Sequence, residues 1–451
     1  VSAFQLLIRT TNSGTSSSTQ FTLPGDSGET YDFVIDWGDG GADETINSGS
    51  SWTHTYSSGG DYTLSITESS TGGFPAIKFN NGGDKLKVLE LANWGTNKWI
   101  TFEDAFYGCS NLTITATDHA TAVTGFVTDF SFAWRDNSLT SFPLIDTSSG
   151  TSFYHTWARN SLTSFPLIDT SSGTDFRYSW FNNSLTSFPL IDTSSGTNFG
   201  STWRQNSLTS FPLIDTSSGT NFGSTWRQNS LTSFPLIDTS SVTTFSFAWR
   251  ENSLTSFPLI DTSSGTNFLF AWFNNSLTSF PLIDTSSGTN FGNAWRDNSL
   301  TSFPLIDTSS GTNFGNAWFN NSLTSFPLID TSSGTNFSFA WLNNSLTSFP
   351  LIDTSSGTNF GNAWDGNTIN TGDYNALLAG LSANANNSVT WGGGSSKYHD
   401  TGQTQRDILT AAPRNWTITD GGYDATYVPP SSGAPAQNAQ HNNLRNIRMA
   451  P

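Results

Sequence analysis

Apolar residues in the middle of the chain recur with a period of 23. Trp134, Trp157, Trp180, Trp203, Trp226, Trp249, Trp272, Trp295, Trp318, Trp341 and Trp364 follow one another at that step without an insertion. Self-similarity at 20 to 50 residues marks a solenoid, in which each unit buries its apolar face only against its neighbours. Within a unit, Leu139, Phe142 and Leu144 form an L-x-x-F-x-L pattern. Residues two apart on a strand share a face, so the pattern predicts a short strand with Phe142 and Leu144 both pointing inward. Pro143 between them cannot donate to a ladder and limits that strand. Asp146-Thr-Ser-Ser-Gly150 follows as a turn sequence, and Val242 in the glycine's place in one unit argues against a required positive φ there. Phe153 and Trp157, four apart, have the spacing of one face of a helical turn and would close the core opposite the strand. Asn137, three residues after the tryptophan, recurs in all eleven units and predicts a buried amide ladder.

Ahead of the array the period is two. YDFVIDWGDG (Tyr31 to Gly40) and THTYSSGGDYTLSIT (Thr53 to Thr67) alternate around Gly/Ser turns, so residues 1–73 predict a small β-sandwich module. Residues 74–118 read as an N-terminal cap and a degenerate first unit, in which Ala105-Phe106 replaces Ala-Trp and Cys109 falls near the asparagine position. The array occupies 119–366. Beyond it, DYNALLAGL (Asp373 to Leu381) predicts a short amphipathic helix, and DILTAAPRNWTITDGG (Asp407 to Gly422) a helix followed by a strand. Residues 367–423 would close the core as a C-terminal cap. Residues 424–451 form a Pro/Asn/Gln-rich tail of linker composition. The predicted fold class is mainly β with short helical turns: a leucine-rich-repeat solenoid of 23-residue repeats preceded by a small β-sandwich.

The repeat LTSFPLIDTSSGTNF resembles, in order, the L-T-x-L-x-L … D-T-S-x-V-T-x-M-x-x-M-F pattern of the BspA-like leucine-rich-repeat surface proteins. DWGDG … HTY … GGDYTL resembles the PKD-like, immunoglobulin-like module found ahead of such repeats, and FYGCSNLT and WTITDGG resemble their flanking segments. The chain departs from the pattern in carrying Trp for the usual Phe before the turn. The resemblance implies binding, often adhesion to host surfaces, an extracellular, cell-surface or virion-surface location, and no catalytic motif.

Composition narrows the partners. A formal net charge of −18 leaves no electrostatic attraction to nucleic-acid phosphates, and no run of about 18 apolar residues is present to insert into a membrane. A single cysteine, Cys109, excludes an internal disulfide framework. No Ser/His/Asp set, phosphate loop or paired-carboxylate cleft emerges, so the chain reads as non-enzymatic. Ten aspartates, from Asp146 to Asp353 at the 23-residue step, would stack about 4.8 Å apart. Bonding of each carboxylate to its own turn is preferred over a row of calcium ions. Asp36, Asp39 and Asp43 in DWGDGGAD are weak metal candidates whose spacing is not that of an EF-hand, and His54 reads as a packed strand residue.

The units differ chiefly in the two or three residues before each tryptophan and the two after it. On a helical turn these positions would share an outer ridge. Arginine and aromatic residues, enriched at binding hot spots, are frequent there: Tyr154, His155, Arg159, Arg177, Tyr178, Phe181, Arg204, Arg227, Phe247, Arg250, Phe270, Phe273, Arg296, Phe319 and Phe339. They are the candidate partner-binding residues, for a host or neighbouring-cell surface protein or glycan. The alternative is a structural subunit of a filament or coat, associating with itself through the PKD-like module or the tail.

Overall fold

The computed structural model describes residues 2–69, 73–118, 125–383 and 386–430. It is mainly β with few helices. Through the array each unit lies beside the next, joined by a parallel bridge at the residue before the phenylalanine, from Asp129↔Ser152 to Asn336↔Asn359.

The Phe-x-x-x-Trp segment is not an α-helix. Every second amide donates to the following unit: Phe153 N to Asp175 O, His155 N to Arg177 O, Trp157 N to Ser179 O and Arg159 N to Phe181 O. The amides between them close tight turns within the unit, Thr156 N to Phe153 O and Ala158 N to His155 O. A helix would need those amides for its own i→i−4 bonds. The backbone follows this division: His155 and Arg159 have φ of 56° and 57°, and the same pair of left-handed residues recurs in every unit down to Asn362 and Gly366. A positive φ at the third residue of a four-residue turn is what a type II turn requires. The chain thus turns tightly while keeping a ladder to its neighbour.

The other side of the unit also departs from the expected pattern. Phe142 and Ile145 are buried, whereas Leu144 is 47% exposed and its equivalents are up to 63% exposed. The cause is the proline. In the following unit Ile168 N donates back to Pro166 O, a three-residue turn centred on Leu167, and the same bond recurs through Ile352 N to Pro350 O. The central residue of that turn points outward, so leucine and isoleucine exchange the roles that strict alternation would assign.

What remains inside is a set of columns. Successive array tryptophans stack with centroids 5.0–6.2 Å apart and planes within 19°. The Phe142 column meets them edge-to-face at 4.8–4.9 Å, a geometry that suits the ring quadrupoles. The Phe153 column stacks nearly parallel, except at Phe222, which stands at 76° and 81° to its neighbours. Glycines such as Gly150 lie wedged between two rings of this column. Phe222 is the ring preceding the unit in which Val242 replaces the glycine, and it has turned to make room. None of these glycines has positive φ, as the valine had suggested. Asparagine forms the predicted ladder: Asn160 Nδ2 donates to Trp134 O and Trp157 O, and its Oδ1 accepts from Leu139 N. The ladder runs on to Asn367, while Asn137 at its head is buried with no hydrogen-bond partner among the described residues.

Both ends continue these columns in altered sequence. At the N-terminal end, β1 (Phe4–Arg9), β3 (Phe33–Asp36), β4 (Glu44–Ile46), β6 (Asp61–Glu68), β7 (Val88–Asn93) and β8 (Thr113–Ile114) form one sheet in the order β4-β3-β6-β1-β7-β8. A second sheet, β2 (Gln20–Pro24) with β5 (Ser51–Thr55), lays Trp52 against Phe33 at 5.1 Å. Because β7 pairs with β1, the boundary expected at 73/74 separates two kinds of sequence but not the sheet. The fully buried Lys87 and Asp84 fasten it further: the ammonium donates to Ser16 O, Ser17 O and Gln20 O, and the carboxylate accepts from Ser16 N and Thr22 N. Phe106 occupies the tryptophan place, its amide donating to Ala133 O as Trp134 N donates to Thr156 O.

At the C-terminal end, β9 (Asn359–Phe360), β10 (Thr390–Gly392) and β11 (Thr417–Thr419) pair in parallel, and Trp391 stacks on Trp364 at 4.2 Å. The helices α1 (Thr371–Ser382) and α2 (Asp400–Thr410) lie where helices were expected, the second beginning earlier than the motif implied. Residues 431–451, most of the tail, lie outside the described residues. Among the described residues no helix is long and apolar enough to cross a membrane.

The asparagine ladder is testable. Asn229→Ala strips a partner from Trp203 O, Trp226 O and Leu208 N. Leu208 N is left without an acceptor, while the two carbonyls keep one bond each from Asn206 and Asn252, and a loss of about 1–3 kcal/mol is expected, read by denaturant unfolding. Thr232→Ala, at an exposed position three residues further on, is the control, with an expected change below about 0.5 kcal/mol.

Candidate binding ridge

The candidate residues fall into parallel columns, each set by its place relative to the tryptophan. Two before it, at the left-handed position, come His155, Tyr178, Phe247, Phe270 and Phe339. Most are half-buried because they stack on one another across units. Phe132 on His155 (5.3 Å, 8°), His155 on Tyr178 (4.4 Å, 2°) and Phe247 on Phe270 (5.0 Å, 12°) lie nearly parallel. Between these ring blocks the column carries Ser201 and Ser224, then Asn293 and Asn316. The letters that vary therefore match their neighbours. An L-residue in the left-handed region costs roughly 1–2 kcal/mol, and ring-on-ring contact offsets that cost within the blocks Phe132–His155–Tyr178 and Phe247–Phe270.

One residue past the tryptophan come Phe181, Arg204, Arg227, Arg250, Phe273, Arg296 and Phe319. Here guanidinium and ring interleave: Arg204 lies over Phe181 at 5.3 Å, Arg250 over Phe273 at 4.9 Å, and Arg296 over Phe273 and Phe319 at 5.4 and 4.5 Å. Three before the tryptophan, Arg177 lies over Tyr154 at 4.7 Å and pairs with Asp175 at 2.6 Å. Arg159, two after the tryptophan, is exposed and lies 6.0 Å from Phe181. The structure thus brings the candidates to one side of the units, where each but Phe339, which is exposed, meets another ring or guanidinium. Residue types alone did not reveal this pairing; reading them down the 23-residue column would have.

The ridge is notched. Where the column of Tyr154 and Arg177 continues it meets Gly200 and Gly223, and an open groove of about 440 Å³ is lined by Tyr154, Arg177, Tyr178, Ser201, Asn221, Ser224 and Ser246 beside the two glycines.

The other sequence candidates are local turns. Asp36 Oδ1 accepts from Gly38 N, Asp39 Oδ1 from Gly41 N, and Asp39 Oδ2 pairs with His54 at 2.9 Å. His54 is also stacked on Trp37 at 4.9 Å. The array aspartates behave alike: Asp169 Oδ1 accepts from Ser171 N and Ser171 Oγ, and these bonds hold its pKa below the usual carboxylate value. Among the described residues no three His, Cys, Asp or Glu side chains converge as a metal ion would need. Cys109 is fully buried, and burial pushes its thiol pKa well up.

The sequence matches no protein-family model, and no curated protein matches it significantly.

His155 gives the ridge a pH dependence. Burial first, then the charges of Arg135, Arg159 and Arg177, push its pKa down from 6.5 to about 4. Between those values the unfolded chain binds a proton that the folded chain does not, so this stability is full above pH about 6.5 and is lost as pH falls toward 4. His155→Phe keeps the stacking and removes the titration. Its melting temperature is expected to fall less than the wild type's between pH of about 7.5 and 4. Equal falls in both would show that His155 is not the group responsible.

Proposed function

We propose that the chain is a non-enzymatic surface protein whose array is a leucine-rich-repeat solenoid. In this reading it is extracellular, on a cell or virion surface, and recognises a partner surface protein or glycan through the ridge. The resemblance to BspA-like proteins and to a PKD-like module supplies the class. The observation that carries the binding role is the alternation of ring blocks with a Gly/Ser gap and a Gly/Asn gap along one side of otherwise near-identical units. Pure drift of an unconstrained surface would not match residue types between neighbours and leave gaps two units wide. No cofactor is part of this reading, and calcium is not favoured because the array carboxylates serve their own turns.

The test is capture of the full chain on immobilised cell-surface extract. Phe270→Ser with Phe273→Ser is expected to reduce capture about tenfold, the effect of one interface hot spot. Because Phe270 stacks on Phe247 and Arg250 lies over both Phe270 and Phe273, a loss of about 1–2 kcal/mol in stability accompanies it. Capture unchanged in a folded double variant would remove the ridge from recognition.

A further inference from the structure

The notch in the ridge coincides with a break in its charge pattern. Arg135, Arg250 and Arg296 each carry an acidic residue next in the chain and pair with it: Asp136 at 3.3 Å, Glu251 at 2.7 Å and Asp297 at 3.2 Å. In the two notch units, both reading GSTWRQ, the neighbours are Gln205 and Gln228 instead. Among the described residues neither Arg204 nor Arg227 makes an ion pair, in a chain of net charge −18. The two guanidiniums lean apart, Arg204 over Phe181 and Arg227 over Phe247. Burial and the charges of Arg250 and Arg204 lower the Arg227 pKa, and Glu251, which is paired with Arg250, offsets this only in part.

The glycines of the notch are less constrained than their counterparts further along the array. Neither has positive φ, and a Cβ would come no nearer than 3.3 Å on Gly200 and 3.1 Å on Gly223, both times to an asparagine Oδ1. At Gly292 and Gly315, by contrast, the amides of Asn313 and Asn336 would stand at 2.9 and 2.8 Å. The open space at Gly200 is therefore a property of the surface. Tyr178 closes one end, stacked on His155 by one face, with Ser201 rather than a ring at the same place in the next unit. Ser201, Ser224 and Asn221 supply hydroxyl and amide groups along the groove.

We infer that this groove binds an acidic sugar residue of a surface glycan, its ring on Tyr178 and its carboxylate drawn to Arg204 and Arg227, which stand three residues after the lining Ser201 and Ser224 and outside the lining itself, while Arg177 within the lining is already paired with Asp175. Two units span about 10 Å at strand spacing, room for one or two sugar rings. The inference rests on the ridge being a recognition surface and names what it recognises. The probes are trigalacturonate and sialyllactose, with maltotriose and lactose as neutral counterparts and poly-glutamate as an acidic peptide. Preferential binding of the acidic sugars, weakened by salt, is expected. Arg204→Gln with Arg227→Gln should cost about tenfold or more in affinity for them. Gly200→Tyr with Ser201→His fills the groove with the letters of positions 154 and 155 and should abolish binding in a variant that still unfolds cooperatively, at a melting temperature that the burial of Ser201 allows to fall. Equal binding of neutral sugars, equal binding of poly-glutamate, or no effect of the arginine replacements would overturn it. If the acidic sugars fail while Phe270→Ser with Phe273→Ser still reduces capture on cell-surface extract, this inference falls and the ridge reading stands.

A separate observation points to a second surface. Ten leucines, Leu144 to Leu351, form an exposed column, at 61–63% exposure from Leu167 to Leu282. The geometry points to pairing of two copies along this column. A partner with the same unit spacing can match it from Leu144 to Leu328, about 40 Å, short of Leu351, which lies against α1 at Gly380, and a second copy has that spacing. The exposed aspartates two residues further on, Asp146 and its equivalents, choose the orientation. Face to face and antiparallel, the two acidic rows would oppose each other. Parallel, each faces the exposed Thr140 and Ser141 side of its partner. A strip of this size buries on the order of 1,000 Å² in total, that of a reversible dimer.

Light scattering at about 100 μM, high enough for a micromolar dimer, should give twice the 48.8 kDa chain mass. Leu213→Glu with Leu236→Glu should return it to the monomer with unchanged melting. Leu144→Cys should crosslink to itself on oxidation, since only the parallel arrangement brings the two ends together and the native Cys109 is buried. A monomeric wild type would assign the column to another occupant and overturn the proposal. A dimer without that crosslink would overturn the parallel arrangement.

Discussion

The column of stacked indoles is the interaction on which the rest of this molecule depends. Each tryptophan within it is completely buried, touches the tryptophans of both neighbouring units and meets two phenylalanine rings edge-on. No single unit could bury such a ring alone. The spacing of the rings is tied to the spacing of the backbones, because the tryptophan amide donates directly to the next unit. Packing and hydrogen bonding impose the same repeat, so neither can shift without the other. Among the described residues the indole N–H groups of the column have no polar acceptor, and the edge-to-face rings are what lies against the indoles instead. That leaves stability to ring contact and apolar burial.

The column also explains the ends. A stack of this kind exposes a bare ring wherever it stops, and the chain covers each end with material that still presents rings and parallel strands. At one end these are Phe106, Phe102 and Trp94; at the other, Trp391 and Trp416. The exact 23-residue spacing is lost in these segments but the contact is kept, which is why the structural stack outruns the sequence period.

On the outer side the same ladder produces a surface of rows. A side chain at a given place has its counterpart one strand spacing away, so like residues touch whether or not the sequence spacing suggests it. Rings gain by stacking, arginines gain by lying over rings, and arginines next to arginines repel unless an anion intervenes. The ridge shows all three cases, and the last is confined to the units where the groove opens. The leucine column is a row of the same kind with the opposite chemistry, apolar and unvaried.

Much of this was legible in the letters. The 23-residue step, the inward phenylalanine and tryptophan, the asparagine ladder, the two cap helices and the clustering of the variable residues all follow from periodicity and side-chain chemistry. Three things did not. Phe153 and Trp157 share a face at helical spacing, yet the backbone between them is a pair of tight turns, because alternate amides are taken by the neighbouring unit. Leu144 looked inward by alternation, yet it is exposed, and from Pro166 onward a turn at the proline sends leucine out and isoleucine in. The unpaired state of Arg204 and Arg227 depends on which side chains the stack brings within reach. Local spacing states which residues share a face in a given conformation. It does not state which conformation the backbone takes when half of its hydrogen bonds belong to another part of the chain, and only the assembled stack decides that.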